Sequence, residues 1–324
     1  MTRAARRKLA RLRTVAWWVG LVVCSGCSGS TSPSGNPTPA RIYVADAGGN
    51  RIVRIDDMAG TNWTAFGTLG TGTNQFSGPT SVYVDAAGKI ILGDGSNDRI
   101  VRMDDMSGTN WTAFGTPGSG INQFNGAEAV SVDAAGRMYV ADYSNNRIVR
   151  MDDMSGTGWT AFGTVGAGAN QFSFPENVLV DRVGRIYVAD LGNERIVRMD
   201  DMSGTNWTAF GSGGSGTNQF HLPTGVYVDA AEKIYVADAG NNRIVRMDDM
   251  AGTNWTAFGT IGGGPNQFTT PLGVYVDATG KIYVADFRND RVTRMDDIVG
   301  TNWTTAGSPG MGNQFFGPVA VSLR

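Results

Sequence analysis

Side chains that do covalent or metal chemistry are scarce in this sequence. Its 324 residues hold one histidine, His221, and two cysteines, Cys24 and Cys27. A catalytic zinc needs about three protein ligands, commonly histidines, so a His-rich zinc centre is excluded. No G-x-S-x-G run presents a serine nucleophile, and no cysteine follows residue 27. Paired carboxylates are plentiful, for example Asp104-Asp105. Adjacent strand residues point to opposite faces, and no D-x-[DN]-x-[DN]-G loop occurs to hold calcium. These pairs are expected to be solvated turns. The runs Gly67, Gly70 and Gly72 open no helix and so lack the setting for phosphate binding.

The two cysteines sit in an address. Arg3, Arg6, Arg7, Lys8, Arg11 and Arg13 precede the apolar stretch TVAWWVGLVVC at 14–24. Eleven residues are too few for a membrane-spanning helix, which takes about 20. A basic head, a short apolar body and small residues after it describe a secretory signal peptide over 1–26. The run Cys24-Ser25-Gly26-Cys27 resembles the bacterial lipobox, with Cys24 where that motif usually has leucine. The resemblance implies lipidation at Cys27 and a place in the cell envelope, on the periplasmic or cell-surface side. Residues 28–40, SGSTSPSGNPTPA, bury too little apolar surface to fold and are expected to be a tether.

The formal charge of −2 averages two unlike parts. Setting the six leader cations aside leaves 21 basic residues against 29 acidic ones, a net of −8. An acidic domain without a basic patch is not built for nucleic acid, where phosphate neutralisation supplies much of the affinity.

A 48-residue unit fills the rest. It starts at Arg41, Lys89, Arg137, Arg185, Lys233 and Lys281 and changes little from copy to copy. Within the unit from Lys233, KIYVAD, RIVRMD, TNWTAF and GVYVD are short, rich in β-branched and aromatic residues, and separated by Gly, Asn and Asp. Four strands in a repeat of this size make a propeller blade. The pattern P-x-G-V-x-V-D-x-x-G-x-I-Y-V-A-D-x-x-N-x-R-I, seen from Pro271 to Asp286, Asn289 and Arg291, resembles the NHL repeat. The expected fold is therefore all-β: a six-bladed β-propeller of four-stranded blades over 41–324. The first unit lacks a first strand, and the last residues, Pro318 onward, supply one. The C-terminal strand should join the N-terminal blade and close the ring, leaving no open end.

Six-bladed propellers of similar pattern include amidating lyases, streptogramin lyases and lactonase-like metal hydrolases. The resemblance implies histidine chemistry for the first two, and carboxylate and amide ligands in the channel for the third. Only Glu128, Glu176 and Asn177 offer such ligands here, so a metal-dependent hydrolase or lyase is the alternative function. The main expectation is a monomeric binding or scaffold module for a protein or glycan, without a cofactor.

Residues that every blade repeats are expected to be scaffold. Trp63, Trp111, Trp159, Trp207, Trp255 and Trp303 should pack one blade on the next. Asp46 with Arg51, and the matching pairs up to Asp286 with Arg291, should fix a hairpin. Asn-Trp-Thr, as at Asn62, is a formal glycosylation sequon and is expected to be strand-edge chemistry. The variable positions carry the recognition hypothesis. The residue after Y-V-A-D runs Ala47, Gly95, Tyr143, Leu191, Ala239, Phe287; the lead-in to the first strand runs Thr80, Glu128, Glu176, Thr224, Leu272, Val319. Strand alternation places both sets on one face. Tyr143, Leu191, Phe287 and Arg288 are the expected contacts, with Glu128 and Glu176 near the channel mouth.

Overall fold

The structure is a computed structural model and describes residues 40–307 and 313–324. The expected signal segment, the anchor Cys27 and the tether up to residue 39 lie outside the described residues. Six four-stranded antiparallel sheets stand around a central axis. Blade 2 shows the pattern: Pro79–Val84 lies innermost, followed outward by Ile90–Asp94, Arg99–Met103 and Thr112–Phe114. Blades 3 to 6 repeat it, with innermost strands Ala127–Val132, Pro175–Val180, Pro223–Val228 and Pro271–Val276. Blade 1 takes its outer three strands from Ile42–Asp46, Arg51–Ile55 and Thr64–Phe66, and its innermost from Pro318–Leu323. The ring closes as the sequence predicts, with Val44 opposite Val321.

Burial explains why the strands read as they do. The second strand of each blade is buried at every position, because neighbouring blades cover both of its faces. Each Val or Ile removed from water this way contributes about 1.5–3 kcal/mol. The third strand, as in Arg195–Met199, is buried at Ile196, Val197 and Met199, while Arg195 and Arg198 reach partly to solvent. Inner strands carry a bulge near their start, for example between Pro175 and Asn177. The Gly-rich links also form short parallel ribbons, such as Thr164–Val165 with Gln171–Phe172. These were not expected from the sequence.

The strand directions define two faces. The upper face carries the turns between second and third strands and the links between blades. The lower face carries the other two loops of each blade. Both described chain ends lie at the lower face, where Arg41 N donates to Arg324 O (2.6 Å) and Arg324 N to Arg41 O (3.0 Å).

Candidate functional site

The upper face is built on an Asp–Arg clamp present in every blade and complete in blades 2 to 6; in blade 1 Gly49 stands in place of the asparagine and Arg51 lies against Phe316. Asp190 is fully buried at the end of a second strand. Its carboxylate accepts from Arg195 Nε (2.8 Å), Asn193 Nδ2 (2.8 Å) and the Ser173 backbone N–H (2.7 Å). Arg195 also donates to the link carbonyls of Ala167 (2.7 Å) and Gln171 (2.9 Å), and lies over the Trp207 ring at 5.8 Å. The expected hairpin pair thus ties turn, link and tryptophan together. Burial pushes the carboxyls of Asp46, Asp94, Asp142, Asp190, Asp238 and Asp286 up from the ordinary range, against the pull of their hydrogen bonds and arginines.

A second tie crosses each junction. The last residue of the turn is left-handed, and Asn or Asp tolerates that conformation. Asn50, Asp98, Asn146, Asn242 and Asp290 each accept from a backbone N–H of the following link, at 2.6–2.9 Å. Blade 4 differs, since Glu194 stands there and pairs instead with His221 Nδ1 at 2.7 Å. The chain's one histidine is thereby engaged in a link between blades.

The variable residues gather on the upper face, but at different depths. Tyr143 is 1% exposed and lies tilted against Phe174, ring centres 5.0 Å apart; Leu191 is fully buried. Both therefore lie beneath the surface rather than on it, because the first residue of the turn tucks back against the blade. Glu128 and Glu176 are also buried, at 5% and 0% exposure, on adjacent inner strands. A Cβ on Gly95 would stand 2.8 Å from Thr80 Cγ2 and 3.1 Å from Glu128 Oε2, so the glycine of blade 2 leaves room for both. Asn177 is buried too and accepts from Val226 N at 3.3 Å. Among the described residues no group of three or more His, Cys, Asp or Glu is placed to hold a metal ion.

Phe287 is half-buried and Arg288 is exposed. Beside them stands Phe316, 53% exposed, under which Arg51 lies at 5.4 Å from the ring. A Cβ on Gly317 would touch the Phe287 ring, so these residues form one corner at the junction of blades 6 and 1. Sequence reasoning missed Phe316. The signal was present, because the other five links carry Ser, Asn or Thr, or His221, in that place.

The lower face changes less from blade to blade. Asp57 Oδ1 accepts from Ala59 N (2.9 Å) and Thr61 N (3.0 Å), and its counterparts do the same. Hydroxyl and backbone donors hold these exposed carboxyls low, at about 2 for Asp105 and Asp201. The sequon asparagines are left-handed, and Asn62 Nδ2 donates to Asp56 Oδ2 at 2.8 Å. In blade 3 Gly158 takes that place with φ 66°, so backbone conformation selects the residue.

The NHL repeat family model matches residues 220–247 and 268–295. No curated protein matches the chain. Among solved structures, a chain of a nidogen/laminin complex is similar with a TM-score of 0.65 and 18% identity, covering 88% of this chain and 98% of that one. A streptogramin B lyase matches with a TM-score of 0.58 and 14% identity, covering 87% and 83%. A catalytically inactive histidine-to-alanine variant of virginiamycin B lyase from Staphylococcus aureus, with quinupristin, matches with a TM-score of 0.54 and 16% identity, covering 82% and 79%. At these identities the likeness is one of fold.

Proposed function

We propose that this six-bladed propeller of NHL repeats is a lipid-anchored cell-envelope module that binds a protein or glycan ligand through its upper face. One observation carries the reading. Differences between otherwise near-identical repeats concentrate on the upper face, while the chain leaves from the lower face at Arg41. The segment 28–40 can reach at most about 45 Å between the expected anchor and the propeller. With Cys27 in a membrane, the chain would join the propeller at its lower face and leave the upper face clear of the attachment. Phe287, Arg288 and Phe316 are the direct contacts, and Tyr143, Leu191, Glu128 and Glu176 shape the surface from beneath. The similar propeller in a nidogen/laminin complex supports protein as the ligand class.

The alternative, a metal-dependent hydrolase or lyase, draws on the two buried acids Glu128 and Glu176 beside Asn177. Metal analysis of the purified chain separates the two: a stoichiometric divalent ion lost in Glu176→Gln favours the enzyme. The anchor has its own test. Labelling with a palmitate analogue is expected in the parent and absent in Cys27→Ala; label retained by that variant refutes the anchor.

A further inference from the structure

Each inner strand is entered through one link residue whose backbone is left-handed. In blades 2, 3 and 1 that residue is glycine: Gly78 (φ 57°), Gly126 (φ 82°) and Gly317 (φ 66°). In the consecutive blades 4, 5 and 6 it carries a side chain: Phe174 (φ 54°), Leu222 (φ 53°) and Thr270 (φ 55°). Bulky and β-branched residues are outliers in this region. All three also precede a proline, which restricts the backbone further.

The scaffold bond at this position does not require a side chain. Gly78 N donates to Asn50 Oδ1 at 2.9 Å, and Phe174 N and Thr270 N donate to Asn146 and Asn242 at the same distance. Phe174 and Leu222 are half-buried and stand outside the core clusters. Val226 N donates to Asn177 Oδ1 (3.3 Å) and Thr224 Oγ1 to Leu272 O (2.9 Å), so the three residues head three adjoining inner strands. A cation stands at the end of this arc. Arg288 N donates to Thr269 O at 3.1 Å, which sets the turn of blade 6 beside Thr270. Arg288 is exposed, and the five other turns carry Gly or Ser in its place. The carboxylates of the surrounding turns are engaged elsewhere: Asp286 with Arg291, Asp290 with Gly317 N, and Glu194 with His221.

Resting on the upper-face function above, we propose that recognition is concentrated over blades 4 to 6 and that the ligand is a protein segment in which apolar side chains adjoin a carboxylate. The apolar groups lie on Phe174, Leu222 and Thr270, and the carboxylate on Arg288. Disfavoured backbone held where glycine serves the other blades is characteristic of ligand-binding positions. An arginine without an internal partner selects a planar anion, which a carboxylate provides.

The test titrates the purified, ¹⁵N-labelled full chain with the peptide acetyl-Leu-Leu-Asp-amide. Acetyl-Leu-Leu-Asn-amide and acetyl-Gly-Gly-Asp-amide are the controls. Saturable shifts are expected at the Leu222, Thr270 and Arg288 amides with the first peptide. Binding about tenfold weaker is expected for either control and for Arg288→Ala. Thr270→Gly keeps the backbone bond to Asn242 and is expected to melt no lower than the parent. Phe174→Gly, Leu222→Gly and Thr270→Gly combined are expected to lose the peptide; Leu222→Gly alone serves if the triple variant does not fold. Absence of a saturable shift, equal binding of the asparagine peptide, equal binding by a folded glycine variant, or a clearly lower melting point for Thr270→Gly overturns the proposal. A folded glycine variant that still captures an envelope partner lost on changing Phe287, Arg288 and Phe316 also overturns it, while leaving the upper-face function standing.

Discussion

The two faces of the ring use the same residue types to opposite ends. On the lower face each Asp57-type carboxylate is exposed and held by its own loop, with its proton affinity lowered by hydroxyl and amide donors. On the upper face each Asp94-type carboxylate is fully buried, joined to an arginine, a turn and a link, with its proton affinity raised by burial. A lower loop is thus closed upon itself, whereas an upper turn depends on the neighbouring segment. Depth, more than residue type, decides what a repeated aspartate does. The upper face alone also carries the repeats' principal differences, so scaffold and variation meet in the same layer.

The largest expected effect breaks the buried side of this comparison. Asp94→Ala removes one partner of a buried ion pair and leaves Arg99 and the Ser77 N–H facing a void. Losses of about 3–5 kcal/mol are typical of such changes, read as a lower denaturant midpoint. Asp105→Ala, on the lower face, is expected to cost clearly less in the same assay. Equal losses would remove the distinction between the faces.

Next is the left-handed position of the lower loops. Asn206→Ala is expected to cost about 1–2 kcal/mol, because alanine lacks the short polar side chain that lets asparagine adopt that conformation and loses the bond from Asn206 Nδ2 to Asp200. Asn206→Gly is expected to cost less, because Gly158 already serves blade 3. If the glycine variant is the worse of the two, hydrogen bonding rather than backbone conformation governs the site.

The smallest effect is one of titration. Asp105 and Asp201 should titrate at about 2 by NMR, and Asp94 and Asp190 above the ordinary 3.8. For Asp105 the folded value lies below the unfolded one, so the folded state binds fewer protons between the two. Its stabilisation is therefore complete above about 3.8 and is lost as pH falls towards 2. For Asp94 the folded value is raised, so its contribution is present at low pH and lost as pH rises through that value. A shared titration range for both sets would contradict the assignment by burial.

The 48-residue period made blade number, strand order and ring closure legible, because each unit repeats strand and turn signals in register. Depth on the upper face was not legible. Tyr143 and Leu191 follow a strand and look like loop residues, yet the turn folds its first side chain inward. Small or apolar partners at that place, Ala47, Gly95 and Ala239, were the available sign of burial. The ribbons in the links were hidden because two-residue strands carry no periodicity. Phe316 was visible as a departure of the last link, but its place beside Phe287 needed the folded ring.

We propose that the upper face recognises a partner and the lower face does not. The direct measurement is affinity capture from an envelope extract by the parent, by an upper-face variant and by a lower-face variant. Phe287→Ala, Arg288→Ala and Phe316→Ala together form the first variant; Val183→Ala and Val299→Ala, both exposed on the lower face, form the second. A partner retained by the parent and the lower-face variant and lost by the upper-face variant, with all three folded, is the expected result. A partner held equally by the upper-face variant, or lost only from the lower-face variant, would contradict it.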